Sequence, residues 1–252
     1  MKTHPYLEPR ALAALDAAAR ERFTALIAEI TRQPERIGVL FPAAARKVAR
    51  GPLRPEDPLG LTGPTLDDAV RAALLATYAA AVGNSPAGVA AEVANLYRYG
   101  DADEKRAVLR ALDRLRVGTA ALSIVLDALR TNDTRLVAAA LGGYGAEHLD
   151  AETWRQGVLK CLFVGVPLAA VAQLDERADD QLAQMVAAFA TERVAAGRDV
   201  PVDAWLVLDR FPDAVARSGL VAELTSPYPD RREAAARALA GRLPTATTTR
   251  QD

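Results

Sequence analysis

The densest run of side chains able to do chemistry is Arg130, Asn132, Asp133 and Arg135, followed by Tyr144, His148, Trp154, Arg155, Gln156 and Lys160. Arginine and lysine would suit a phosphate or carboxylate, arginine through its planar, forked donor set. Gln156 and Lys160 are i,i+4 neighbours and share one flank of a helix. If the flanking helices pack side by side, Arg130, Asn132, Arg135, Tyr144, His148, Trp154, Arg155, Gln156 and Lys160 form a ligand or partner surface. The same residues also fit a turn whose Asn and Asp cap helices while the cations stay solvated.

Other groups carry less chemistry. There are two histidines and one cysteine, and no HxxxH or CxxC spacing, so no metal is expected. Glu147, His148 and Asp150 could ligate one in principle, but a capping turn with an incidental histidine accounts for them. Gly142-Gly143-Tyr144-Gly145 follows a helix rather than a strand and reads as a helix stop. No Walker loop, GxGxxG or nucleophile elbow occurs. Cys161 falls on an apolar stripe and reads as core. No catalytic residue and no cofactor are expected. Arg46, Lys47, Arg50 and Arg54 form a second basic group that could meet a phosphate or simply lie solvated at a helix end. Tyr97 and Tyr99, near Asn95, could line a pocket or serve in packing.

The elements that must position these residues are helices. Half of the 252 residues are hydrophobic and only 5% aromatic, with Ala and Leu dominant, a balance that favours helix over sheet. A chain this long buries roughly 70% of its unfolded surface and needs no staple. With 31 basic and 32 acidic residues it lacks the basic excess of a nucleic-acid binder, and no such partner is expected. No run approaches ~20 apolar residues, so no integral membrane segment is expected. The opening Met-Lys-Thr-His-Pro-Tyr lacks the apolar core of a signal peptide, and a cytoplasmic place follows.

Apolar periodicity predicts a helix over 11–32 and another from Pro34, which Pro42 should kink or restart. Residues 51–64, with four prolines and three glycines, form a loop or a seam. Beyond it, cap residues mark the helix starts: Thr65, Ser85, Asp101, Asp133, Asp150 and Asp179 or Asp180. The expected organisation is an N-terminal helical segment over 1–50, the loop over 51–64, a HEAT-like repeat domain over 65–243 and a disordered tail over 244–252. Helices of 10–20 residues joined by short turns make antiparallel pairs. The stretch from Tyr228 resembles the first helix of a HEAT repeat, with a Pro-Asp start and an Arg, Ala, Leu pattern. The fold class is all-α, a HEAT-like α-solenoid with an irregular helical bundle as the alternative.

At Asp127-Ala-Leu-Arg-Thr-Asn-Asp-Thr-Arg-Leu-Val-Ala-Ala-Ala and His148-Leu-Asp-Ala-Glu-Thr-Trp-Arg-Gln-Gly-Val-Leu-Lys-Cys-Leu-Phe the sequence resembles the EboA family. The resemblance spans most of the chain and is strongest from about Leu96 to Pro212. It implies an origin in the bacterial ebo gene cluster. That cluster also encodes a UbiA-like prenyltransferase, a TatD-like metal hydrolase, a sugar-phosphate cyclase-like protein and TIM-barrel proteins. Its products are associated with making or moving a secondary-metabolite precursor. The resemblance supplies no catalytic residue. The first expectation is therefore a non-catalytic scaffold that binds a partner, such as another ebo-cluster protein, or a pathway intermediate. The alternative is an enzyme acting on a small anionic or prenylated metabolite in a central polar pocket. A nucleic-acid binder ranks last, since it would need a basic concave stripe.

Overall fold

The computed structural model describes residues 6–83 and 85–242, all helix and connecting loop apart from one isolated bridge between Pro52 and Thr65. The chain divides into two compact units, Met1–Leu174 and Asp175–Asp252. The first holds α1 (Pro9–Ala14), α2 (Ala17–Arg32), α3 (Ile37–Lys47), α4 (Leu66–Ala81), α5 (Pro86–Tyr99), α6 (Ala102–Ala111), α7 (Leu122–Arg130), α8 (Thr134–Ala140), α9 (Gly143–His148) and α10 (Ala151–Val164). After α11 (Leu174–Arg177), the second holds α12 (Asp180–Ala195), α13 (Trp205–Leu208), α14 (Pro212–Arg217) and α15 (Pro229–Leu239). Among the described residues no helix is long and apolar enough to cross a membrane.

The cap residues act where cap chemistry puts them. Thr65 and Asp68 exchange hydrogen bonds with each other's backbone at the start of α4, and Asp101 with Glu104 repeat the arrangement on α6. Ser85, Asp133, Asp150 and Asp179 accept from first-turn amides of α5, α8, α10 and α12. Three expectations differ from the structure. The periodic stretch 11–32 is broken at Leu15, because Asp16 turns its carboxylate onto the Ala19 amide and starts α2 afresh. Pro42 lies inside α3, which runs through it without restarting. The glycine run after α8 is also more than a stop, since Gly143 opens the short helix α9.

The core of the first unit is α4. It packs against α2, α3 and α6, and nearly every residue from Leu66 to Ala79 is buried, on all sides of the helix. An all-round buried helix should be apolar. This one carries Asp67, Asp68 and Arg71 inside, so α6 must bring them partners. From α6 the packing proceeds to α8, and from α8 to both α7 and α10. The loop 51–64 is ordered by Asp57, which accepts from the Leu61 and Thr62 amides and the Thr62 hydroxyl. Burial pushes the Asp57 carboxyl up, but those donors and Arg54 hold it below the usual carboxylate range. Arg110 of α6 then ties the loop down by donating to the Gly60 and Leu61 carbonyls.

In the second unit, α12 packs against α13, α14 and α15 through the buried Leu182, Val186, Phe189 and Val194. Arg242 lies over the Trp205 ring at 4.2 Å and pairs with Asp209 at 3.0 Å. The stretch from Tyr228 forms α15, which ends at Leu239, and the tail over 244–252 lies outside the described residues.

Candidate functional site

The turn Thr131-Asn132-Asp133 works as a divider. Asp133 caps α8 through the Arg135 amide, which reverses the chain between α7 and α8. Arg130 and Asn132 therefore point to one side and Arg135 to another.

On the first side, α7 and α10 flank an open groove of about 480 Å³. Its apolar wall is Leu126, Leu129, Leu159, Phe163 and Val164, and its polar groups are Arg130, Asn132, Thr153, Gln156 and Lys160. Phe163 is 61% exposed, an uncommon state for a residue that gains so much from burial. A Cβ on Gly157 would stand 2.9 Å from Leu141 Cδ2 and 3.5 Å from Leu129 Cδ2, so glycine here leaves room for those two leucines against α10. Thr153 is committed to Asp150, whose carboxylate accepts from its amide and hydroxyl.

The other predicted residues lie elsewhere. Tyr144 is buried, donates to the Gly118 carbonyl at 2.6 Å, and packs edge-on against the His148 ring at 4.4 Å. Trp154 is wholly enclosed and belongs to the core of α10. Arg155 is half-buried and does not line the groove. Cys161 is core, and burial pushes its thiol up to about 12, which leaves it protonated and unreactive at neutral pH. Tyr97 donates to Asp127 at 3.0 Å from a buried position, while Tyr99 stands in solvent. Among the described residues no three His, Cys, Asp or Glu side chains are placed to hold a metal ion.

On the second side, Arg135 joins a network that sequence reasoning missed. Arg106 of α6 reaches Asp68 through Nε, Thr65 Oγ1 through Nη2 and Asp103 through Nη1, at 2.8–3.1 Å. Arg71 gives Nη1 to Asp67 at 2.9 Å and Nε to the Phe41 carbonyl at 3.2 Å. Arg135 meets Asp103 at 2.9 Å and Asp133 at 2.7 Å. Arg110 closes the far end, with Nε 3.7 Å from Asp68 and no hydrogen bond from that nitrogen. Burial dominates here. It pushes the Asp68 carboxyl up against the pull of Arg106, and pulls the Arg110 guanidinium down. Asp67 and Asp68 sit in the first turn of α4, where acids also face the positive end of the helix dipole. The signal for more was the Asp67/Arg71 spacing of four on a helix otherwise apolar all round.

A family model described as metabolite traffic protein EboA matches residues 62–209, more than half of the chain. The chain belongs to the EboA family. The matched span contains the whole groove and the α4–α6–Arg135 network, whereas Arg46 and Arg50 precede it. The family name is consistent with a role connected to metabolites. Searches of curated proteins and of solved structures found no match.

Proposed function

We propose that this chain is a non-catalytic binding protein for an amphipathic pathway intermediate, held in the groove between α7 and α10. One observation carries the reading: Arg130, Asn132, Gln156 and Lys160 share a 480 Å³ groove with an apolar wall that includes the exposed Phe163. Ligand sites combine mostly apolar surface with a few placed polar groups. Here the apolar part of a metabolite would cover Leu126, Leu129, Phe163 and Val164, and an anionic or strongly polar head would meet Arg130 and Lys160. The groove wall holds no carboxylate, imidazole or thiol, which favours holding over turning over a ligand. The reading places the protein in the cytoplasm, handing an intermediate between the products of its gene cluster. The stacking of α6 on α8, and of α8 on α7 and α10, supports a HEAT-like pairing of these helices.

Native mass spectrometry of protein purified alongside the neighbouring cluster products tests this directly. Retained ligand is expected, and Arg130→Ala with Lys160→Ala should weaken it about tenfold or more. Equal retention by a double variant that melts like the parent would remove the groove from consideration.

A further inference from the structure

A second cavity, of about 470 Å³, lies in the first unit between the end of α3, the loop 51–64 and the start of α6. Its lining differs in kind from the groove. Five arginines and four carboxylates face it: Arg46, Arg50, Arg71, Arg106 and Arg135 against Asp67, Asp101, Asp103 and Glu104. All four carboxylates already have donors. Asp67 holds Arg71, Asp103 Oδ1 holds both Arg106 and Arg135, and Asp101 and Glu104 bond each other's backbone at the start of α6.

The cations are not all used. Arg46 and Arg50 stand at the rim, and among the described residues neither meets a carboxylate within ion-pair distance. The end of α3 does not require them either, because Arg22 already donates to the Lys47 carbonyl. Deeper in, the Arg71 side chain is 3% exposed; its Nε and Nη1 are hydrogen-bonded, and its Nη2 forms an ion pair with Glu104 Oε1 at 3.8 Å, beyond hydrogen-bond length. At the cavity wall, Nη2 can still donate a hydrogen bond to an acceptor on a ligand.

We infer that this cavity binds a small phosphorylated polyol, its phosphate on Arg46 and Arg50 and its hydroxyls against Arg71 Nη2, Glu104 and Asp103. A phosphate at the rim satisfies both free arginines by charge-assisted hydrogen bonds. A purely anionic ligand would lie against Asp103 and Glu104 and be repelled. A hydroxylated one can donate to those carboxylates and accept from Arg71. The two kinds of wall therefore match the two ends of one molecule. The site is independent of the groove proposed above, since the two share no lining residue.

Isothermal titration of the full chain with glucose 6-phosphate, inorganic phosphate and glucose tests it. Glucose 6-phosphate should bind measurably and more tightly than either half alone. Arg46→Ala with Arg50→Ala should weaken it about tenfold or more, with an unchanged melting curve because both residues are exposed. Arg130→Ala with Lys160→Ala should leave this binding intact, so loss at one site is distinguishable from loss at the other. No binding of glucose 6-phosphate, or undiminished binding by the Arg46/Arg50 variant, overturns the assignment. Equal affinity for inorganic phosphate overturns the polyol part of it.

Discussion

Arg106 holds both carboxylate oxygens of Asp68 with a single nitrogen, at 2.9 and 3.1 Å, and the two residues are 4% and 1% exposed. This contact joins α4 to α6 in the middle of the first unit. Taking two charges out of water costs several kcal/mol each, and their attraction offsets this only when the remaining donors and acceptors are also filled. Here they are, since Thr65 and Asp103 take the other Arg106 nitrogens and the Thr65 amide donates to Asp68 at 3.0 Å.

Removing one partner should therefore be worse than removing both. Arg106→Ala leaves Asp68 buried with its main counter-charge gone and is expected to cost about 3–5 kcal/mol. Arg106→Met combined with Asp68→Leu restores an apolar contact of similar volume and should recover much of that loss. Denaturant titration of the three proteins checks it. A double variant less stable than Arg106→Ala would mean that the pair is not the main content of this contact.

How much of this was legible in the sequence depends on distance along the chain. The caps at Thr65, Asp101, Asp133 and Asp150 were readable because cap chemistry lies within three residues of the helix start. The break at Leu15 was not, because Leu12, Leu15 and Ala19 keep helical spacing across it and all three are buried. The Arg106–Asp68 pair joins residues 38 apart, and nothing local in either helix announces the other. The groove was partly readable. Arg130 and Asn132 sit together at the end of α7, and Gln156 and Lys160 share one flank of α10, so each pair was readable locally, whereas Arg135, three residues past Asn132, is carried away by the Asp133 turn. Tyr144, His148 and Trp154 looked polar enough to join a site, but each has an apolar body that packing claimed first.

Asp133 gives a pH-dependent test of that turn. A side-chain hydrogen bond from Arg135 holds its carboxyl below the usual 3.8, outweighing partial burial, and the Arg135 and Leu136 amides pull the same way. A carboxyl whose pKa falls on folding contributes stability that is fully present above its unfolded value. That contribution is lost as pH drops through the lower folded value. Asp133→Asn keeps an N-cap acceptor but removes the charge, so it should cost only ~0.5 kcal/mol at neutral pH for a pair that solvent still reaches. The gap between parent and variant should close as pH falls below 3.8. Subtracting the variant isolates this carboxyl from Asp68 and Asp113, whose raised values act in the opposite direction. A gap that widens on acidification would contradict the assignment.

The packing of α9 requires glycine at 145. A Cβ on Gly145 would lie 2.0 Å from the Ala140 carbonyl oxygen, a backbone atom that cannot rotate away. Gly143 meets the same crowding from the Asp113 carboxylate at 2.9 Å, and Asp113 accepts the Tyr144 amide. The two glycines thus let α9 press against the end of α8 and against the residues following α6, and this sets where Tyr144 reaches the Gly118 carbonyl. Replacing a helical glycine by alanine normally gains up to about 1 kcal/mol. Gly145→Ala should instead cost about 3–5 kcal/mol, because α9 must lift off α8. Ala146→Gly, one position along, should cost only the usual ~1 kcal/mol of helix propensity plus the loss of one buried methyl. Thermal melts of the two variants decide it: Gly145→Ala melting at or above the parent would show that α9 is not held against α8 as described.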